Sequence, residues 1–194
     1  MKLSSWNDDA KQANTEGSLI LNAWGIVSLP ASIGLPSKNI VGPSSQDQWR
    51  CPPSGFFKLN FDGALKGNLG PEGYGGVVRD DRGIILGISW GYLGVSTNNA
   101  TNLEGLVAGL SWATRKGWHP LVVEGDSNII LAIATQLQSG SSMAKISRNE
   151  IWEVRLRDLQ RDLETNPTMI FIHVRCLANK VADLLANKGV QDRG

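Results

Sequence analysis

The chain has 194 residues, 41% hydrophobic and 19% charged, with a formal net charge of +1. That length holds one ordinary domain plus an extension, and that hydrophobic fraction suffices for a buried core in part of the chain. Cys51 and Cys176 are far apart and unpatterned, which suggests neither a disulfide framework nor a zinc site. The near-neutral charge neither requires nor excludes a nucleic-acid partner, because a local patch matters more than the sum.

Residues 1–50 show no sustained period and are expected to be a poorly structured segment and linker. Leu19, Ile20, Leu21, Ile26, Val27 and Leu29 allow one short element. The apolar stretch over residues 18–30 is too short to span a membrane. Asp8, Asp9 and Glu16 precede it, the wrong flank for a signal peptide. An intracellular protein without a membrane contact is expected, with no resolved choice between nucleus and cytoplasm. Residues 35–48 carry Pro36, Pro43, Ser44 and Ser45, a linker composition.

The main domain is expected over residues 51–190, with 191–194 as a tail. Phe57-Lys58-Leu59-Asn60-Phe61-Asp62 alternates apolar and polar, the pattern of a half-buried strand. Residues 63–73 read as a glycine-rich loop, 74–80 as a second strand and 84–93 as a third, with a tight turn at Asp81-Arg82-Gly83. A helix is predicted over 99–116, where Leu103, Leu106, Val107 and Leu110 form one stripe. Leu121-Val122-Val123-Glu124 suits a buried parallel strand. A second helix is predicted over 127–137. Trp152, Leu156, Leu159 and Leu163 mark a third. A fifth strand follows at 169–174 and a final helix at 179–188. Three hairpin-linked strands followed by strand–helix alternation imply one mixed sheet, an antiparallel meander with two parallel strands added, and helices on both faces.

Asp62 ends the first strand, Asp126 follows the fourth, and Asp183 lies early in the final helix. Functional groups of open α/β sheets gather beyond the carboxyl ends of strands. If the first and fourth strands are parallel neighbours, Asp62 and Asp126 lie side by side there. Clustered carboxylates repel unless a cation joins them, and hard oxygen donors select Mg²⁺ or Mn²⁺. Two such ions, roughly 3.5–4 Å apart, serve phosphodiester hydrolysis. Taken singly, each aspartate also fits a plain role: a turn at Asp62, a helix-capping region at Asp126, a dipole partner at Asp183.

Five motifs then occur in order. They are Lys58-Leu59-Asn60-Phe61-Asp62-Gly63-Ala64, Gly73-Tyr74-Gly75-Gly76-Val77-Val78-Arg79-Asp80, Thr97-Asn98-Asn99, Glu124-Gly125-Asp126-Ser127, and Ala178-Asn179-Lys180-Val181-Ala182-Asp183-Leu184-Leu185-Ala186. Together they resemble the ribonuclease H family, most closely the ribonuclease H-like domains of plant non-LTR retroelement reverse transcriptases. The resemblance covers about residues 49–190. It implies an α/β ribonuclease H-like fold and hydrolysis of the RNA strand of RNA–DNA hybrids with two Mg²⁺ or Mn²⁺ ions. The sequence shows no oligomerisation signal, and a monomer without a small-molecule cofactor is expected.

The family's four acidic ligands run Asp-Glu-Asp-Asp, and Asp62, Asp126 and Asp183 match the first, third and fourth. Asn102 stands at the glutamate position. Glu104 is the nearest acid, but two helical residues rotate a side chain by about 200°, away from the site. The resemblance further implies that Asn98 and Asn99 contact the minor groove of the hybrid, where amides can meet 2′-hydroxyls. Helix capping by either, or by Thr97, is the alternative. Gly63 permits close approach of the RNA strand, and Ser127 either assists there or caps its helix. His173 either assists proton transfer or product release, or is only a strand residue. Arg148, Arg155, Arg157 and Arg161 alternate with acids and read as a solvated, ion-paired face. Trp112 and Trp118 read as core. His119 precedes Pro120 in a loop and has no assigned role. The competing function is a binding module for RNA–DNA hybrid with weak or no catalysis, for which Asn102 speaks.

Overall fold

The computed structural model describes residues 48–67, 70–95, 97–142 and 150–192. The short element around residues 19–29, most of the 35–48 linker, Arg148 and the last two residues lie outside these. Strands β1 (Phe57–Leu65), β2 (Pro71–Arg79) and β3 (Ile85–Val95) come first, then helix α1 (Asn98–Lys116) and strand β4 (Leu121–Gly125). Helices α2 (Asn128–Gln138) and α3 (Glu150–Thr165), strand β5 (Ile170–His173) and helix α4 (Lys180–Gln191) complete the order. The five strands form one sheet in the order β3-β2-β1-β4-β5. β1 is antiparallel to β2 and parallel to β4, and β4 is parallel to β5. The mixed sheet expected from the strand and helix signals is therefore the one formed.

Strand alternation divides the two faces. Leu59 and Phe61 of β1, with Leu121 and Val123 of β4, turn toward α1, α2 and α3 and form the main core with Leu103, Leu106, Leu110, Ile130, Leu156 and Leu159. Trp112 is buried in this core and meets Trp118 edge to face, ring centroids 4.4 Å apart, so both tryptophans serve packing. The other face carries Val77, Ile85 and Ile88 under Leu185 of α4.

The same face buries Lys58, Asn60, Arg79 and Glu124, an unusual set of polar groups for a sheet interior. They satisfy one another. Lys58 Nζ pairs with Glu124 Oε1, and Asn60 Nδ2 donates to Glu124 Oε2 at 3.0 Å. Trp49, ahead of β1, closes this face. Its Nε1 donates to Asn60 Oδ1 at 2.9 Å, and the Arg79 guanidinium lies 4.7 Å from its ring centroid.

One expectation differs. The glycine content of residues 63–73 predicts a loop, yet β1 runs on to Leu65 and β2 begins at Pro71, with Gly63 opposite Tyr74 and Ala64 opposite Gly73. The glycines there make room for helices. A Cβ on Gly73 would lie 2.5 Å from Val190 N of α4, and one on Gly75, two residues further along the strand, 2.3 Å from Ala186 N, so α4 seats directly on the strand backbone. Helix α1 begins after Thr97, whose side chain accepts from Ala100 N, and ends at Gly117 in the left-handed region (φ 69°).

Candidate active site

The parallel pairing of β1 with β4 sets the site. Asn60 lies opposite Glu124 in that register, so Asp62 and Asp126, each two residues further on, arrive together at the carboxyl ends. Their carboxyls lie close enough for each to feel the other's charge. Burial is the main cause that raises the pKa of Asp62 from 3.8 to about 8, and Asp126 and then Asp183 add like-charge repulsion. The Gly63 N–H, donating to Asp62 Oδ1 at 2.8 Å, opposes the rise. Asp183, in the first turn of α4, is also pushed up, by partial burial and then by Asp126. Lys180 and the Asn187 amide, which donates to Asp183 Oδ1 at 2.8 Å, hold it down.

Asn102 sits in the second turn of α1. That turn touches the same corner, because a Cβ on Gly63 would lie 2.6 Å from Asn102 N. Gly63 is thus required for the approach of α1 to β1. Asn102 is buried, and its Nδ2 donates to Asn98 O at 3.0 Å. Its Oδ1 is buried without a hydrogen-bond partner. Glu104 faces elsewhere, its carboxylate 2.6 Å from Arg155 Nε of α3 in a half-buried ion pair.

His173 Nε2 lies 3.1 Å from Asp126 O, at the end of β5. Ser127 caps α2, its Oγ accepting from Ile130 N at 3.5 Å. Asn98 and Asn99 open α1, while Thr97 provides the cap. Thus Asp62, Asp126, Asp183, Gly63, Asn102 and His173 gather at one end of the sheet, with Ser127 one residue beyond Asp126.

Sequence reasoning missed three contributors. Cys176 Sγ donates to Asp126 Oδ2 at 3.1 Å, and no spacing in the chain announces it. Asn179, buried, donates from Nδ2 to Phe61 O at 2.8 Å and so ties the start of α4 to β1 beside Asp62. Asn187 stands four residues after Asp183, one helical turn on, a spacing that was available to find it.

Among the described residues, no group of three or more His, Cys, Asp or Glu side chains is placed to hold a metal ion without adjustment. The donor set still fits a hard divalent cation. It consists of carboxylate oxygens that repel one another and a buried amide oxygen, Asn102 Oδ1, that has no donor.

A five-stranded sheet of this order, with acids at the carboxyl ends of the adjacent parallel strands β1 and β4, is a ribonuclease H-like fold. A family model described as "Reverse transcriptase-like" matches residues 60–189, and the chain belongs to that family. The chain is 32% identical over 139 residues to an Arabidopsis thaliana protein that carries a provisional ribonuclease H name, covering 72% of this chain but 21% of that protein. It therefore spans about a fifth of that relative. The crystal structure of RNase H1 from Halobacterium salinarum superposes with a TM-score of 0.58 at 26% identity, covering 70% of this chain and 98% of that one. LC11-RNase H1, solved in complex with an RNA/DNA hybrid, shares the fold with a TM-score of 0.58 at 24% identity, covering 70% of this chain and 96% of that one.

Proposed function

We propose that this domain binds RNA–DNA hybrids and hydrolyses the RNA strand in a reaction that needs divalent metal, Mg²⁺ or Mn²⁺, at a rate lowered by Asn102. The observation that carries the reading is the parallel register that brings Asp62 and Asp126 side by side at the carboxyl ends of β1 and β4, with Asp183 close enough to repel both. Such a group is costly by itself and suits a site that receives cations. The hybrid in complex with LC11-RNase H1 supports the substrate class by fold alone. The family and the Arabidopsis relative support a retroelement origin, of the non-LTR plant type in this reading.

Two bound ions would supply a polarised water and a stabilised leaving oxygen. Asp62, Asp126 and Asp183 would hold them, with Asn187 and Lys180 fixing Asp183. Asn102 would offer a neutral oxygen where the family supplies a carboxylate. Cys176 and His173 fix the position of Asp126, from its side chain and its backbone. Asn98, Asn99, Gly63 and Ser127 are assigned to the hybrid; Asn98 also holds Asn102 Nδ2 and so positions it.

A second reading has its own observation. Three carboxylates against the family's four leave one negative charge missing at close range, worth several kcal/mol even at an effective dielectric of about 20. On that reading the domain binds hybrid and does not cleave. Asn102→Glu separates the two. The first reading predicts cleavage of a labelled hybrid by the wild-type chain, rising about 10-fold or more in Asn102→Glu, since each 1.4 kcal/mol is a factor of about ten. Hybrid binding that survives chelation, with no cleavage by either protein, establishes the second.

A further inference from the structure

The turn between β5 and α4 has two sides. One meets Asp126 through Cys176 and His173. The other is a wall of an open cleft of about 490 Å³, whose opposite wall is the stretch Gln48-Trp49-Arg50 ahead of β1. Arg50, Arg175 and His173 are exposed along it.

Both walls are fixed by backbone and buried groups. Lys58 Nζ donates to Arg50 O at 2.8 Å, and Trp49 Nε1 is anchored on Asn60. Across the cleft, Val174 N donates to Gly125 O at 3.0 Å, and Ala178 N closes the turn on Arg175 O at 2.9 Å. The guanidiniums of Arg50 and Arg175 are thus mounted on rigid main chain. Glu124 lines the cleft too, but Lys58 and Asn60 already match its charge. Guanidinium groups suit phosphate oxygens, which accept their parallel N–H donors. A cleft of this size admits one strand and not a duplex.

We propose that this cleft binds phosphodiesters of a single RNA strand that continues past the acidic site, with Arg50 and Arg175 as the phosphate-contacting residues. The inference rests on the hybrid-binding reading and extends its track along the outer side of the β5–α4 turn.

The test uses fluorescence anisotropy over a salt series, with Ca²⁺ in place of Mg²⁺. The probes are a blunt RNA–DNA hybrid and hybrids with a single-stranded RNA overhang at either end. The wild-type chain is expected to bind one overhang form more tightly than the blunt form. Arg50→Ala/Arg175→Ala is expected to abolish that gain and to lower the log–log salt slope by about 1.4, two single-strand phosphates at about 0.7 each. Blunt-hybrid binding should stay unchanged. Arg50→Lys/Arg175→Lys should retain most of the slope, and Arg157→Ala, on the exposed side of α3, should change nothing. Since Lys58 holds the Arg50 carbonyl and not its side chain, Arg50→Ala should keep the wild-type melting temperature, and unchanged blunt-hybrid binding shows that the double variant is folded. Equal overhang gains in wild type and double variant, or no gain in either, would overturn the cleft while leaving hybrid binding intact. Absence of any hybrid binding by the wild-type chain would remove both readings.

Discussion

Removing the charge at Asp62 should stabilise the metal-free protein. Asp62 carries a folded pKa of about 8 against an ordinary 3.8. The folded state therefore keeps a proton that the unfolded chain has released, and stability falls as pH rises from about 4 to about 8. At pH 7 the gap above 3.8 is about three units, and at about 1.36 kcal/mol per unit the ceiling is about 4 kcal/mol. Water entry and side-chain relaxation should reduce this to about 2 kcal/mol, in line with the effective dielectric of about 20 that fits real sites. The amide introduced by Asp62→Asn imitates the protonated carboxyl and needs no proton. Asp62→Asn should melt about 4–8 °C higher than wild type in EDTA at pH 7, at about 2–4 °C per kcal/mol. The difference should vanish near pH 3 and level off above pH 8. Added Mg²⁺ should raise the wild-type melting temperature and leave the variant unmoved. The assay is differential scanning fluorimetry across pH with and without metal. A variant no more stable than wild type at pH 7–8 in EDTA would mean that the acids are not crowded at this end of the sheet.

Two further outcomes follow from the packing. Trp49→Ala removes the indole donor to Asn60 and the ring against Arg79, and should cost about 2–3 kcal/mol in urea unfolding; a loss below about 0.5 kcal/mol would mean that Trp49 does not close the polar face of the sheet. Gly75→Ala places a Cβ 2.3 Å from Ala186 N and should cost about 1–3 kcal/mol, since only backbone can yield. Because α4 also carries Asp183, hybrid cleavage should fall more than the stability loss alone explains. Unchanged cleavage in a folded Gly75→Ala protein would separate the seating of α4 from the site.

The fold was legible because its periodicities are clean. The alternation in β1, the leucine stripe of α1 and the short apolar β4 each admit one reading, and their order leaves few topologies. Residues 63–73 misled because glycine there does not mark a loop. It lets α1 and α4 lie on strand backbone, a tertiary reason with no local signature. The placement of Asp62 beside Asp126 was readable from strand polarity alone. The contacts of Cys176 and Asn179 were not, because both depend on how the β5–α4 turn folds back over β1 and β4. The pairing of Glu104 with Arg155 shows a similar split: rotation along α1 turns Glu104 away from the acids, but nothing in the sequence names its partner on α3.

The most direct test of the account is cleavage of an RNA–DNA hybrid, labelled on its RNA strand, by the wild-type chain in Mg²⁺ and in Mn²⁺ beside Asp62→Asn. The account predicts RNA-strand products with 3′-hydroxyl and 5′-phosphate ends, lost on chelation and lost in the variant. Cleavage that persists in Asp62→Asn at the wild-type rate would contradict it, since the reaction would then not depend on the acids that β1 and β4 bring together.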